Sequence, residues 1–196
     1  MKFVEMKNDK VFQKIFGDAT KPEAVMSLIN AVLGFEGEDK ITFTRIIPPY
    51  ERIFTPPDKN IIIDVVAENK NLLEYNVKIQ IADIESFDGR IAFLAPQHAQ
   101  YIFINILDFK HTHSPKYTST YIFVDMETNE RSMKNIEHHF IELEKFDKTE
   151  AQLPNLMDKW IYFIKNVENL KVMPENLQDK GLENACLDAI ELNQKK

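Results

Sequence analysis

Asp64 stands inside an apolar run, "IIIDVVAEN" (61–69), and is followed within twenty residues by "LEYNVKIQIAD", which carries Lys78 and Gln80. A carboxylate in a run of Ile and Val is costly to bury unless a cation or a metal ion compensates it. If the two runs form a hairpin centred near residue 71, Asp64 lies opposite Lys78, because both are equally far from that centre. The period-2 alternation of strands then puts Lys78 and Gln80 on the face that Asp64 shares, with Asn76 and Glu74 farther along towards the turn. Two chemistries suit this cluster. One is a cross-strand Asp64–Lys78 ion pair with Gln80 hydrogen-bonding nearby. The other is a metal-dependent hydrolytic centre built on Asp64.

The elements that must position these residues read as follows. "NDKVFQKIFG" places Val11, Phe12, Ile15 and Phe16 on one helical face, with Asn8 or Asp9 as cap and Gly17 as stop. Thr20 and Glu23 have capping-box spacing. Pro22 lies in the first turn, and Val25, Leu28, Ile29, Val32 and Leu33 form an apolar stripe that ends at Gly34. Strand character begins at "ITFTRII" (41–47) and extends to "YERIF" (50–54). A hairpin turning at Asn69–Leu73 joins two strands whose near-continuous apolar runs suit the centre of a sheet covered on both faces. "SFDGRIAFLA" predicts a short helix ending before Pro96. Strands return at 101–109, 119–126 and 138–146, and "NLMDKWIYFIKNV" (155–167) predicts an amphipathic helix with Leu156, Trp160, Phe163, Ile164 and Val167 on one side. A further helix is expected after Pro174. The order ααβββαβββα implies an α/β fold, a mixed sheet flanked by helices.

Carried on these segments is a resemblance to the recombination-promoting nuclease and transposase family of the PD-(D/E)xK nuclease superfamily. "DKVFQKIFG" resembles the family's opening D-x-x-F-K-x-x-F-G, and "SLINAVLG" its F-L-N-A-x-L helix. "IIIDVVAEN" with "YNVKIQ" is similar to its l-D-v … Y-n-I-E-x-Q strands, and "RIAFL" to its R-x-x-Y-Y helix. "FINILDF" resembles I-x-I-L-x-F, and "FIELEKF" with "DKWIYF" resembles I-E-L-x-K-F … W-x-x-F. The resemblance implies a restriction-endonuclease-like PD-(D/E)xK domain over residues 1–170, with a helical tail over 171–196. It also implies DNA as the ancestral substrate and Mg²⁺ as the cofactor. Such an ion, held by oxygen ligands, activates water and offsets charge on the phosphate. Carried over by residue, Asp64 is the metal-binding Asp, Gln80 the polar residue standing where most of the superfamily has a catalytic Lys, and Asp9 the assisting acid of the first helix.

At Lys78 the chain departs from the family, which has Glu there. An ammonium a few ångströms from a dication makes coordination strongly unfavourable. Three arrangements follow. Lys78 replaces the metal's charge by pairing with Asp64, and hydrolysis is weakened or lost. Alternatively a carboxylate has migrated: Glu68, Glu74 or Glu85, though Glu74 lies roughly 13 Å along the strand. Or Lys78 acts as an exchanged catalytic lysine, with the metal held by Asp64, Asp9 and a backbone carbonyl. The competing reading is a non-catalytic DNA-binding or protein-interaction module that kept the fold. A second departure lies near Arg90, where Phe93 and Leu94 replace a Tyr pair and the interval to the next strand is shorter than in the family.

Other signals favour plainer roles. His111 and His113, and the pair His138–His139, lack a third ligand of zinc spacing. Lys110, His111, His113 and Lys116 make a mildly basic turn that reads as a solvated loop. The aromatics of 87–123 fall on apolar faces and read as core. Glu142 and Glu144 are given no catalytic role. With 5 Gly there is no phosphate-cradling loop. Lys plus Arg number 24 against 31 Asp plus Glu, a net charge of −7, which opposes a dedicated nucleic-acid coat protein. The lone Cys186 permits no internal disulfide and suits the cytoplasm. The charged start and the lack of an 18-residue apolar run predict neither a signal peptide nor a membrane helix. Self-association stays open.

Overall fold

The computed structural model describes residues 9–47, 61–82, 100–169 and 178–194. Helices α1 (Asp9–Phe16) and α2 (Glu23–Leu33) open the chain. Six strands follow: β1 (Ile41–Ile47), β2 (Ile61–Asn69), β3 (Glu74–Ala82), β4 (Gln100–Leu107), β5 (Thr118–Tyr121) and β6 (Ile136–Glu142). Helices α3 (Leu156–Asn166) and α4 (Lys180–Gln194) close it. The strands form one mixed sheet in the order β1-β2-β3-β4-β6-β5. β1, β2 and β3 pair antiparallel, β4 joins β3 and β6 in parallel, and β5 runs antiparallel to β6. The expected α/β sheet flanked by helices is what the chain forms. The expected strand 50–54, the helix over 86–95 and the Arg90 departure lie outside the described residues.

Alternation sorts each strand into two faces. Ile63, Val65 and Ala67 of β2, Val77, Ile79 and Ile81 of β3, and Ile102, Ile104 and Ile106 of β4 are buried on one of them. They form a single core with Phe12, Phe16, Leu28, Ile29, Trp160 and Phe163 of the helices. Leu182, Ala185, Cys186 and Ala189 of α4 belong to the same core. α4 approaches α2 so closely that a Cβ at Gly181 would collide with the Glu23 carbonyl and the Ser27 side chain. Ser27 sits where three helices meet: it accepts from Trp160 Nε1 at 2.9 Å and donates to Asp179 at 2.5 Å. Asp179 also takes the Leu182 N–H at 3.0 Å, capping α4.

Local details depart from the sequence reading in three places. No capping box starts α2. Pro22 occupies the cap position without a side-chain cap bond, and the Asp18 carboxylate takes the N–H and hydroxyl of Thr20 instead. The strand expected over 119–126 leaves the sheet after Tyr121 and turns back on itself farther on, where Asp125 accepts from the N–H groups of Glu127 and Thr128. The strand expected over 138–146 starts at Ile136 and gives way to a 3-10 turn at Leu143–Lys145, which brings Lys145 back onto Glu142.

The β2–β3 hairpin turns where expected, and Asn69 sets it. Its buried side-chain oxygen accepts from the N–H groups of Asn71 and Leu73, both at 3.0 Å. Leu72, between them, holds φ 60, a left-handed conformation that costs a branched side chain about 1 kcal/mol or more. Asn69→Ala should therefore lower stability by roughly 1 kcal/mol, through loss of two side-chain to backbone bonds in an exposed turn. Leu72→Gly should leave stability unchanged or raise it by up to about 1 kcal/mol. Urea titrations of both variants check this.

Candidate functional site

The tight hairpin fixes the register Asp64↔Lys78, and the parallel pairing of β3, β4 and β6 extends it across the sheet. On the face turned away from the helical core, one row runs Ile47, Asp64, Lys78, Phe103, His138, Tyr121 from edge to edge. The next row runs Ile62, Gln80, Asn105, Phe140, Ser119. Polar groups thus sit in the middle strands, and aromatic rings lie towards β5.

Asp64 is 4% exposed. The Lys78 ammonium lies 3.1 Å from its Oδ1, and the Lys78 side chain keeps 27% of its surface in solvent. The stem therefore lies along the sheet while the head stays partly hydrated. Gln80 donates to Asn105 Oδ1 at 2.7 Å, and Asn105 in turn donates to the His139 carbonyl at 3.3 Å. Asn105 is a member of this row that the sequence reading missed. Its signal was an amide between Ile104 and Ile106, inside the apolar run from Ile102 to Leu107. Asp9 is the first residue of α1.

His138 also went unassigned. Its ring stacks on Phe103 with centroids 4.4 Å apart and planes 4° from parallel, and its Nε2 is buried without a hydrogen-bond partner. Burial, with a smaller contribution from His139, pushes its pKa down from 6.5 to about 4. His139 faces the other side of the sheet, between Glu137 (3.3 Å) and Thr120 (3.2 Å). The adjacent histidines therefore point apart and share no metal. His111 is exposed as expected, and its ring stacks on Phe140 at 5.2 Å. Its loop is tied down by Glu142, which accepts from the His111 and Thr112 N–H groups at 2.6 and 3.1 Å and pairs with Lys145 at 2.6 Å. Burial pushes the Glu142 pKa up, but Lys145 and the Thr112 and His111 donors outweigh it and hold the carboxyl below its ordinary value.

A family model described as PD-(D/E)XK nuclease family transposase matches residues 6–196. The chain belongs to that family. No curated protein and no solved structure matches it. The mixed sheet with helices is the α/β arrangement of a PD-(D/E)XK nuclease-like domain. Nucleases of this superfamily generally depend on a divalent ion, so the donor set has to be tested for one. Among the described residues, no three or more His, Cys, Asp or Glu side chains converge to hold a metal. An ammonium stands 3.1 Å from Asp64 Oδ1 and repels a dication there. The described donors of this PD-(D/E)XK family member do not fit the ion. No helix among the described residues is long and apolar enough to cross a membrane.

Removing the ammonium from Asp64 should destabilise the sheet. Lys78→Met keeps the stem and loses the charge, at a cost of roughly 1–3 kcal/mol, below the ~3–5 kcal/mol typical of fully buried pairs because Lys78 is partly hydrated. An unchanged urea midpoint would contradict the pairing. A second expectation concerns acid. The unfolded chain takes up a proton at His138 near pH 6.5 that the folded ring resists until about 4. Stability from this residue is therefore complete above pH 6.5 and declines as pH falls towards 4. His138→Phe, which preserves the stack on Phe103, should flatten that stretch of the midpoint-versus-pH curve.

Proposed function

We propose that this chain is a degenerate PD-(D/E)XK nuclease family transposase in which a lysine has taken over the charge role of the metal. Its ancestry is that of Mg²⁺-dependent DNA endonucleases linked to recombination and transposition. Its own phosphodiester hydrolysis is weakened or lost. The observation that carries this reading is Lys78 Nζ, 3.1 Å from Asp64 Oδ1, at the position where the resemblance implies a metal-binding Glu. One +1 charge replaces what a −1 ligand and a dication together supplied, so the buried Asp64 stays neutralised and the sheet intact. Gln80 supports the same reading, because its amide donates to Asn105 and belongs to a hydrogen-bonded row across the strands. Where the loss is complete, what remains is a DNA-binding or protein-interaction module on the same fold.

Converting the lysine back tests this directly. In plasmid-nicking assays with Mg²⁺ or Mn²⁺ the native protein should show little or no metal-dependent cleavage, and its melting temperature should not respond to either ion. Lys78→Glu should be destabilised in EDTA, since two carboxylates then face each other across the strands. It should regain roughly 2–3 kcal/mol when Mg²⁺ is about a hundredfold above its dissociation constant. Native protein that cuts DNA with Mg²⁺ and loses this in Asp64→Ala would overturn the proposal and make Lys78 an exchanged catalytic lysine.

A further inference from the structure

Between β5 and β6 the chain leaves the sheet as a two-stranded arm. The Asp125 N–H donates to the Glu130 carbonyl at 2.9 Å, Ser132 N–H to the Phe123 carbonyl at 3.0 Å, and a bridge pairs Val124 with Arg131. Phe123 anchors the arm's base edge-on against His138, with centroids 6.4 Å apart. The arm is built at its tip as well, because the Asp125 carboxylate takes two backbone N–H groups and the Thr128 hydroxyl.

A ribbon of two strands has no interior, and this one leaves its apolar side chains in water. Met126 is 95% exposed, Met133 49%, Tyr121 47%, and Ile122 and Val124 44% each. Their uncovered surface together is on the order of 500 Å², as large as the largest apolar patch of a monomer, which is often functional. The arm also continues directly from β5, the edge strand of the sheet among the described residues. An edge strand offers a row of backbone donors and acceptors to another strand.

We propose that the β5 edge and the 121–134 arm form a two-fold interface with a second copy of this chain. Two considerations select that occupant. Asp125, Glu127 and Glu130 outnumber Arg131 and Lys134 on the arm, and Arg131 is already engaged with Glu137 at 2.6 Å. Phosphate backbones are therefore disfavoured there. Antiparallel pairing of β5 with itself is isologous: the same strand edge serves both partners, and no charged group has to be buried to form it. Two arms together bring about 1,000 Å² of such surface, the lower bound of a specific interface, before the strand edges are counted. This inference does not depend on whether hydrolysis survives, because the interface lies at the far edge of the sheet from Asp64.

Light-scattering mass measurement of the full chain, over a range of protein concentrations, tests it. The native protein should have the mass of a dimer. Hydrogen exchange should slow at the amides of Thr118–Tyr121 as concentration rises. Ile122→Asp combined with Met126→Asp should halve the mass while leaving the melting profile of the monomer cooperative. Thr120→Pro, on the strand edge, is a second variant that should do the same if the sheets pair. A native chain that stays monomeric at every concentration overturns the proposal. So does a dimer whose mass is unchanged by both sets of substitutions, or an arm whose substitutions weaken DNA binding by a monomer.

Discussion

A carboxylate fixed in the centre of a sheet, away from water, must meet positive charge within a few ångströms, and that requirement organises the middle of this protein. The register of β2 against β3 decides what Asp64 can meet. One residue of slip would send Lys78 to the helical face and present Asp64 with Val77 or Ile79. The Asn69 turn prevents that slip by locking the hairpin's end through two side-chain to backbone bonds. A buried amide eleven residues along the chain from a strand does similar work elsewhere. Asn30 accepts the Ile41 N–H at 2.8 Å and donates to its carbonyl at 3.1 Å, tying α2 to β1. Helix layer and sheet are thereby held in one relation, and the Asp64 row is placed on the opposite face from the core.

Much of this was legible in the sequence because it rests on local periodicity. The hairpin centre, the pairing of Asp64 with Lys78, the apolar stripes of α2 and α3, and Gly34 as the left-handed cap of α2 (φ 65) all follow from spacing and from a glycine's conformational freedom. Less legible was whatever depended on where a strand stops. β5 leaves β6 after Tyr121 because the chain there pairs with its own return, Val124 with Arg131, around a tip that Asp125 caps. Glu142 ends β6 because Lys145 can reach it only if the backbone tightens into a 3-10 turn. Alternation of residue types continues through both places, so periodicity alone points to longer strands. Asn105 was missed for a related reason: its partner Gln80 lies on a parallel neighbour 25 positions away, and no hairpin arithmetic relates them.

Four carboxylates among the described residues are nearly withdrawn from solvent: Asp64, Glu142, Asp158 and Asp188. Each meets a lysine. Lys145 serves Glu142, and Lys148 serves Asp158 at 2.8 Å with Tyr117 donating to the other oxygen at 2.7 Å. Lys21 serves Asp188. Lys21, Lys78 and Lys148 keep 27% to 45% of their side chains exposed, and those pairs hold elements together without both partners being withdrawn from water. Lys145, at 7%, is nearly as buried as Glu142 and is satisfied by two further acceptors on Thr112.

Set beside these three, Asp64–Lys78 is made in the same way and differs in where it lies. The other pairs join a loop or helix to its surroundings: Glu142 pins the 111–112 loop, Asp158 pins the start of α3 to Tyr117, and Asp188 joins α4 to the segment before α2. Asp64 and Lys78 are neighbours on two strands already paired by backbone hydrogen bonds, so their ion pair is not needed to bring distant parts together. A carboxylate at that position carries a higher desolvation cost than Asn or Thr would, and Lys78 offsets it across the ladder. Lys78, on the neighbouring strand, supplies the compensating charge by the device the chain uses at its other buried acids.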